Sequence, residues 1–176
     1  MTGVNDTHDS ARHLLRHAVA TLAYRAEKAL RDAPETFVHY RLSASSRTPF
    51  EIVSHMGDLM EWADRMARGE YLWAPQSSPD RKAACERFFQ DLLALDATLA
   101  TSTFQNYSPD VIFQGPIADA LTHVGQLTMI RGAASAPVRP ESYARADIAV
   151  GRVGREQSST RKEFDGDASK PKKQEA

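Results

Sequence analysis

The sequence predicts an all-α protein, a four-helix bundle that runs on into an irregular C-terminal extension. Three observations predict it. Four segments repeat apolar residues at helical spacing. No segment alternates convincingly as a strand. Two of the helical segments open on Thr-Pro or Ser-Pro, the pairing of a capping hydroxyl with a first-turn proline. At 176 residues the chain has the size of one domain with a real core. Residues 1–155 are read as the bundle and its extension, and 156–176 as a polar, aromatic-poor tail whose composition predicts disorder. Hydrophobic content of 41% and charged content of 26% are those of a soluble globular protein. A net charge of −1, with no basic stripe, excludes a nucleic-acid partner. The sole basic cluster is Lys170 to Lys173 in the tail. No apolar run has the length of a membrane span, and the first residues carry no secretory signal pattern. A cytoplasmic protein is expected. The single cysteine, Cys85, precludes an internal disulfide and a multi-cysteine zinc site.

The first helix is expected from about Asp9 to Asp32. Leu14, Leu15, Ala18, Val19, Leu22, Ala26, Ala29 and Leu30 fill one side of its wheel; His13, His17, Tyr24, Glu27 and Lys28 fill the other. His13 and His17 have metal-ligand spacing, but they lie among Arg12, Arg16 and Glu27 and read as solvated. Arg25 projects into the apolar side, where it either snorkels to the bundle end or points into a cleft as an anion clamp. Pro34 stops the helix. The stretch to Arg47 is a long connector, with His39 read as a half-buried packing residue near Phe37 and Tyr40.

The second helix has a complete start signal. Thr48 is its N-cap, Pro49 its first residue and Glu51 the partner in a capping box. It runs to about Arg68, and Gly69 ends it. Ile52, Val53, Met56, Leu59, Met60, Trp62, Ala63 and Met66 form its apolar arc, and His55 falls inside that arc. After a loop containing Pro75, Ser78 and Pro79 are expected to open the third helix. Cys85, Phe88, Leu92, Leu95 and Leu99 repeat there at 3-4-3-4 spacing, the seam of a packed helix. Cys85 on that seam reads as a small buried hydrophobe.

Ser108-Pro109-Asp110 signals one further turn, and Gly115-Pro116 is expected to restart the chain as the fourth helix, Pro116 to Arg131. That helix is apolar almost all round, which predicts burial. Asp119 is its only formally charged residue before Arg131, and His123 lies four residues on, so the two side chains share a face. Gln126 shares their arc and Thr122 lies beside it. A buried carboxylate needs a partner, so Asp119 and His123 either pair with each other or jointly hold something else.

In an up-down-up-down bundle the second and fourth helices run parallel. His55 then stands about 9 Å above its helix start, and Asp119 and His123 about 4.5 and 10.5 Å above theirs. The three converge in the core near one end. Two imidazoles and a carboxylate suit a divalent transition ion with open coordination for water or substrate. The alternative is a buried Asp–His pair with His55 as a neighbour, in a non-catalytic, stress-related binding or dimerisation module.

TPFEIVSHMGDLMEWA and PIADALTHVGQLTMIRGAAS together resemble the DinB-like superfamily of metal-dependent four-helix-bundle proteins. The resemblance covers most of Arg12 to Ser135 and is strongest at THVGQLTMIRG, similar to that superfamily's HxGQ…R stretch. It implies a histidine ligand on the second helix, matched by His55, and an HxxxH pair on the fourth. His123 matches the second histidine of the pair; Asp119 stands where the first would be. The resemblance further implies a homodimer acting on a small molecule. Its activity would be a transferase or isomerase reaction using a low-molecular-weight thiol, or hydrolysis. The metal would be zinc, nickel, iron or manganese. From their places in the sequence, Gln126 and Thr122 are expected to orient the ligands and Arg25 to anchor an anionic substrate.

Overall fold

The structure, a computed structural model, describes residues 3–164, and these form an all-α chain. The helices are α1 (Gly3–Leu30), α2 (Glu35–Val38), α3 (Pro49–Ala67), α4 (Arg81–Thr101), α5 (Pro109–Ile112) and α6 (Ala118–Ala133), with a π turn at Phe113–Ile117 and a 3₁₀ turn at Tyr143–Arg145. Among the described residues the one β-type pairing is an isolated antiparallel bridge, Glu141 to Glu163.

Local chemistry sets the boundaries. At α3 the Thr48 hydroxyl accepts from the Glu51 N–H at 3.2 Å, and the Glu51 carboxylate accepts from the Thr48 N–H at 2.7 Å. This is the expected capping box, and Gly69 leaves the helix at φ 91°. Helix α4 opens later than the Ser78-Pro79 signal suggests. Asp80 caps it, accepting from the Ala83 N–H at 2.8 Å, and a carboxylate also suits the positive end of a helix. Nor does α6 start afresh at Pro116. The chain is helical from Pro109, capped by Ser108. Proline lacks an N–H and its ring strikes the carbonyl four residues back; the π turn containing Pro116 absorbs that misfit.

Cross-helix contacts fix the directions. Arg16 meets Asp96 at 2.8 Å, and Arg12 donates to the Ser102 carbonyl at 3.0 Å, so α1 and α4 are antiparallel. Asp58 meets Arg87 and Ala67 meets Ser102, so α3 and α4 run parallel. Arg131 donates to the Ala29 and Arg31 carbonyls, so α1 and α6 run parallel. Trp62 lies beside Gly115, while Ile52 shares a cleft with Ile130, so α3 and α6 are antiparallel. The expected up-down-up-down order is therefore corrected. The segment 68–80 runs back along α3, and the 33–47 connector does not cross over.

The C-terminal segment rewrites one face of α1. Tyr24 and Lys28, expected on its solvent side, are buried at 0% and 3% exposure, whereas Leu14, expected in the core, is 68% exposed. Lys28 Nζ lies 2.6 Å from Glu141 and 3.0 Å from Glu163. Tyr24 donates its hydroxyl to Glu141, and Arg161 lies 4.2 Å over the Tyr24 ring. Val153 enters the core. The segment expected as a tail from 156 thus contacts α1 as far as its described residues go. Residues 165–176, with the Lys170 to Lys173 cluster, lie outside them. His39, expected to be half-buried, is exposed, because α2 turns Phe37 and Val38 inward instead.

One carboxylate on α4 works against the fold. Asp91 stands 3.9 Å from Arg87 but is crowded by Asp58, Glu61 and Asp64, and burial foremost pushes its carboxyl up to about 6. A raised carboxyl pKa costs stability fully above the folded value. That cost disappears below the unfolded value of about 3.9. Asp91 keeps 23% side-chain exposure, so we expect Asp91→Asn to stabilise by about 1–2 kcal/mol at pH 8. Below pH ~4 it should have no effect. Denaturant midpoints at the two pH values check this, and equal shifts at both would refute it.

Candidate metal centre

His55 and the pair Asp119 and His123 meet where α3 crosses α6. The antiparallel arrangement, not the expected parallel one, brings them level. Asp119 Oδ2 lies 3.7 Å from His55 Nε2, and Asp119 Oδ1 lies 3.5 Å from His123 Nε2. The two imidazoles cross edge-to-face with centroids 5.0 Å apart. One ligand atom from each residue lies within 4.8 Å of the others. His123 is buried at 7% exposure. Asp119 is 47% exposed at its side chain. Its helix is not buried all round: Thr122, Gly125, Gln126 and Met129 share its open face. At that exposure the carboxylate keeps part of its hydration.

These contacts are ion-pair distances, not hydrogen bonds, which need about 2.7–3.2 Å between N and O. His123 Nδ1 is engaged elsewhere, 2.8 Å from Gln126 Oε1. An amide oxygen only accepts, so Nδ1 carries a proton; in the neutral ring that leaves the lone pair on Nε2, the nitrogen that faces Asp119. His55 titrates below the usual imidazole range, first because it is buried, then because of the charge of Arg47 and the neighbouring His123. The shift favours its neutral, ligating form. Two imidazoles and a carboxylate thus converge without hydrogen bonds between them.

The donor set fits a divalent ion. Two ligands about 2.1 Å from one ion stand about 3.0 Å apart at right angles and about 4.2 Å apart when opposite. The 3.5 and 3.7 Å His–Asp separations, each to a different carboxylate oxygen, fall between those limits, and one atom from each of the three residues lies within 4.8 Å of the others. The outer shell is also present. Gln126 sets the His123 tautomer. Thr122 Oγ1 donates to the Asp119 carbonyl at 2.7 Å and lies 3.4 Å from its Oδ1.

An aromatic wall covers one side. Trp73 stacks edge-on against His55 at 5.8 Å, and Trp62 touches both Trp73 and Tyr71 at 5.6 Å. Sequence reasoning missed this wall. Its signal was Tyr71-Leu72-Trp73, three large apolar residues in a row within a loop. Two clefts flank the cluster. One of about 410 Å³ is lined by His123, Gln126, Ile52 and Met129, and one of about 320 Å³ by His55, Ser54 and Ser78. Arg47 borders both. Arg25 is not part of this site. Its guanidinium lies 4.0 Å over the Tyr143 ring, against the C-terminal segment. His13 and His17 are exposed. Cys85 is buried in the core, which pushes its thiol up.

No family model, curated protein or solved structure gave a significant match to this chain. Among the described residues no helix is long and apolar enough to cross a membrane.

Proposed function

We propose that the protein is a divalent-metal-dependent enzyme acting on a small molecule, with His55, Asp119 and His123 as the ligands. The observation that carries this is the convergence of three ligand atoms within 4.8 Å of one another, with the imidazoles too far from the carboxylate to hydrogen-bond. A purely structural Asp–His pair would close to hydrogen-bond distance, because an unmade bond at a half-buried carboxylate costs stability.

The motif likeness to DinB-like proteins supports the same reading. So does the ring of contacts α1–α4–α3–α6–α1, which we take as a four-helix bundle. A divalent ion held there supplies Lewis-acid polarisation of a substrate oxygen or of a thiol. Gln126 keeps His123 in the ligating tautomer, Thr122 holds Asp119, and Trp73 shields His55 from water. A thiol used in the reaction comes from solution, since Cys85 is buried and its thiol is held protonated. We take the working form to be a homodimer and the reaction to be group transfer, isomerisation or hydrolysis.

The test is elemental mass spectrometry of purified wild type and Asp119→Ala, as isolated and after incubation with zinc, nickel, iron or manganese. Near-stoichiometric metal in the wild type, absent from the variant, is expected. No metal in either would overturn the reading and favour a binding or dimerisation module with a structural Asp–His pair.

A further inference from the structure

Arg47 is the one residue that borders both clefts flanking the His–Asp–His cluster. It directly precedes the Thr48 cap of α3 and is exposed. Its charge reaches His55, where it contributes to the lowered pKa. Among the described residues it has no hydrogen bond and no ion pair. Its neighbour Arg41 is committed, reaching Glu51 at 3.0 Å and the Ser46 carbonyl.

The nearby carboxylates are committed too. Glu51 is held by Thr48 and Arg41. Asp58 accepts from Arg87 at 2.8 Å and from the Gln76 N–H at 3.0 Å. Among the described residues, what remains beside the cluster is one uncommitted positive charge, that of Arg47. The smaller cleft adds the Ser54 hydroxyl, whose Oγ is buried with no hydrogen-bond partner. The larger cleft is walled by Leu42, Ile52, Met129 and Ile130 and ends at His123 and Gln126.

We propose that Arg47 is the anion anchor of this site and that its substrate is a carboxylate monoanion with an apolar body. The guanidinium fork matches a carboxylate in two parallel hydrogen bonds. The apolar body lies along Leu42, Ile52 and Met129, which points the substrate toward His123. One free cation neutralises one negative charge. A dianion would carry its second charge into a neighbourhood that already holds Glu51, Asp58 and Asp119. The assignment rests on the metal-centre reading for where the reacting end lies, but the recognition is a property of Arg47 alone.

The test compares 4-phenylbutyrate with 4-phenylbutanamide, an isosteric neutral probe, by NMR titration of the full chain as wild type, Arg47→Gln and Arg47→Lys. In the wild type the carboxylate should bind about tenfold or more tighter than the amide, the discrimination of a charge-assisted pair. In Arg47→Gln that ratio should fall to within about twofold, and Arg47→Lys should keep an intermediate ratio. No carboxylate preference in the wild type, or a preference that survives Arg47→Gln, overturns the proposal; the second result would mean that the carboxylate is held by a metal ion or another cation. Metal content is measured on the same samples. An Arg47-dependent preference in protein that takes up no metal upholds the anchor and removes the metal centre. Metal without the preference does the reverse.

Discussion

Replacing His123 with alanine should weaken zinc affinity by about 100-fold or more, since losing a ligand exceeds the 10–100-fold typical of losing the group behind one. His123 is the best placed of the three proposed ligands. It is buried, its tautomer is set by Gln126 at 2.8 Å, and its ring packs against His55. Helical content by far-UV circular dichroism should persist, because α6 is held mainly by Ile117, Ala120, Val124, Leu127 and Ile130 in the core. Gln126→Leu removes only the tautomer lock, so it should cost about tenfold. Competition against a chelator of known affinity measures both. Zinc affinity in His123→Ala within threefold of wild type would end the metal-centre reading, whatever Gln126→Leu does.

The candidate residues stood out in the sequence because each carries a local anomaly. His55 interrupts an apolar arc, and Asp119 is the only formal charge in its helix before Arg131. Those anomalies survive any error in topology, and here they did. The expected parallel pairing of their helices was wrong, yet the residues still meet. Direction was not legible because it depends on segment 68–80, and loop composition does not say whether a connection turns back sharply or runs the length of a helix. The capping box at Thr48 and Glu51 was legible for the opposite reason: it is completed within four residues. Tyr24 and Lys28 could not be read from their own helix. Their wheel positions are polar, and what buries them is a segment more than a hundred residues later. Arg47 was overlooked because its significance is a missing partner, which only a structure can show.

That buried network carries the largest expected effect on stability. Lys28→Met should destabilise the fold by about 3 kcal/mol, near the lower end of the 3–5 kcal/mol typical of breaking a buried pair from one side. The lower end follows from what remains. The Glu141 side chain has 0% exposure and would lose its contact with Nζ at 2.6 Å. It would still accept from the Tyr24 hydroxyl and from the Lys162 N–H at 3.2 Å. Burial alone would raise the Glu141 carboxyl; its hydrogen bonds to Lys28 and Tyr24 outweigh that and hold it below the usual range. A depressed carboxyl pKa gives stability that is present above the unfolded value of about 4.3 and is lost as pH falls through the folded one. Wild type should therefore lose this contribution below pH ~4, while Lys28→Met, lacking much of it already, should show a flatter acid limb. The double variant Lys28→Met/Glu141→Met removes the fully buried charge pair and leaves Glu163 to Arg31 and Arg139, each at 3.9 Å, so it should recover part of the loss. Urea denaturation of the three proteins from pH 3 to 8 reads all of this. A Lys28→Met cost below about 1 kcal/mol, the range of exposed pairs, would mean that residues 138–164 do not hold Lys28 and Glu141 out of water.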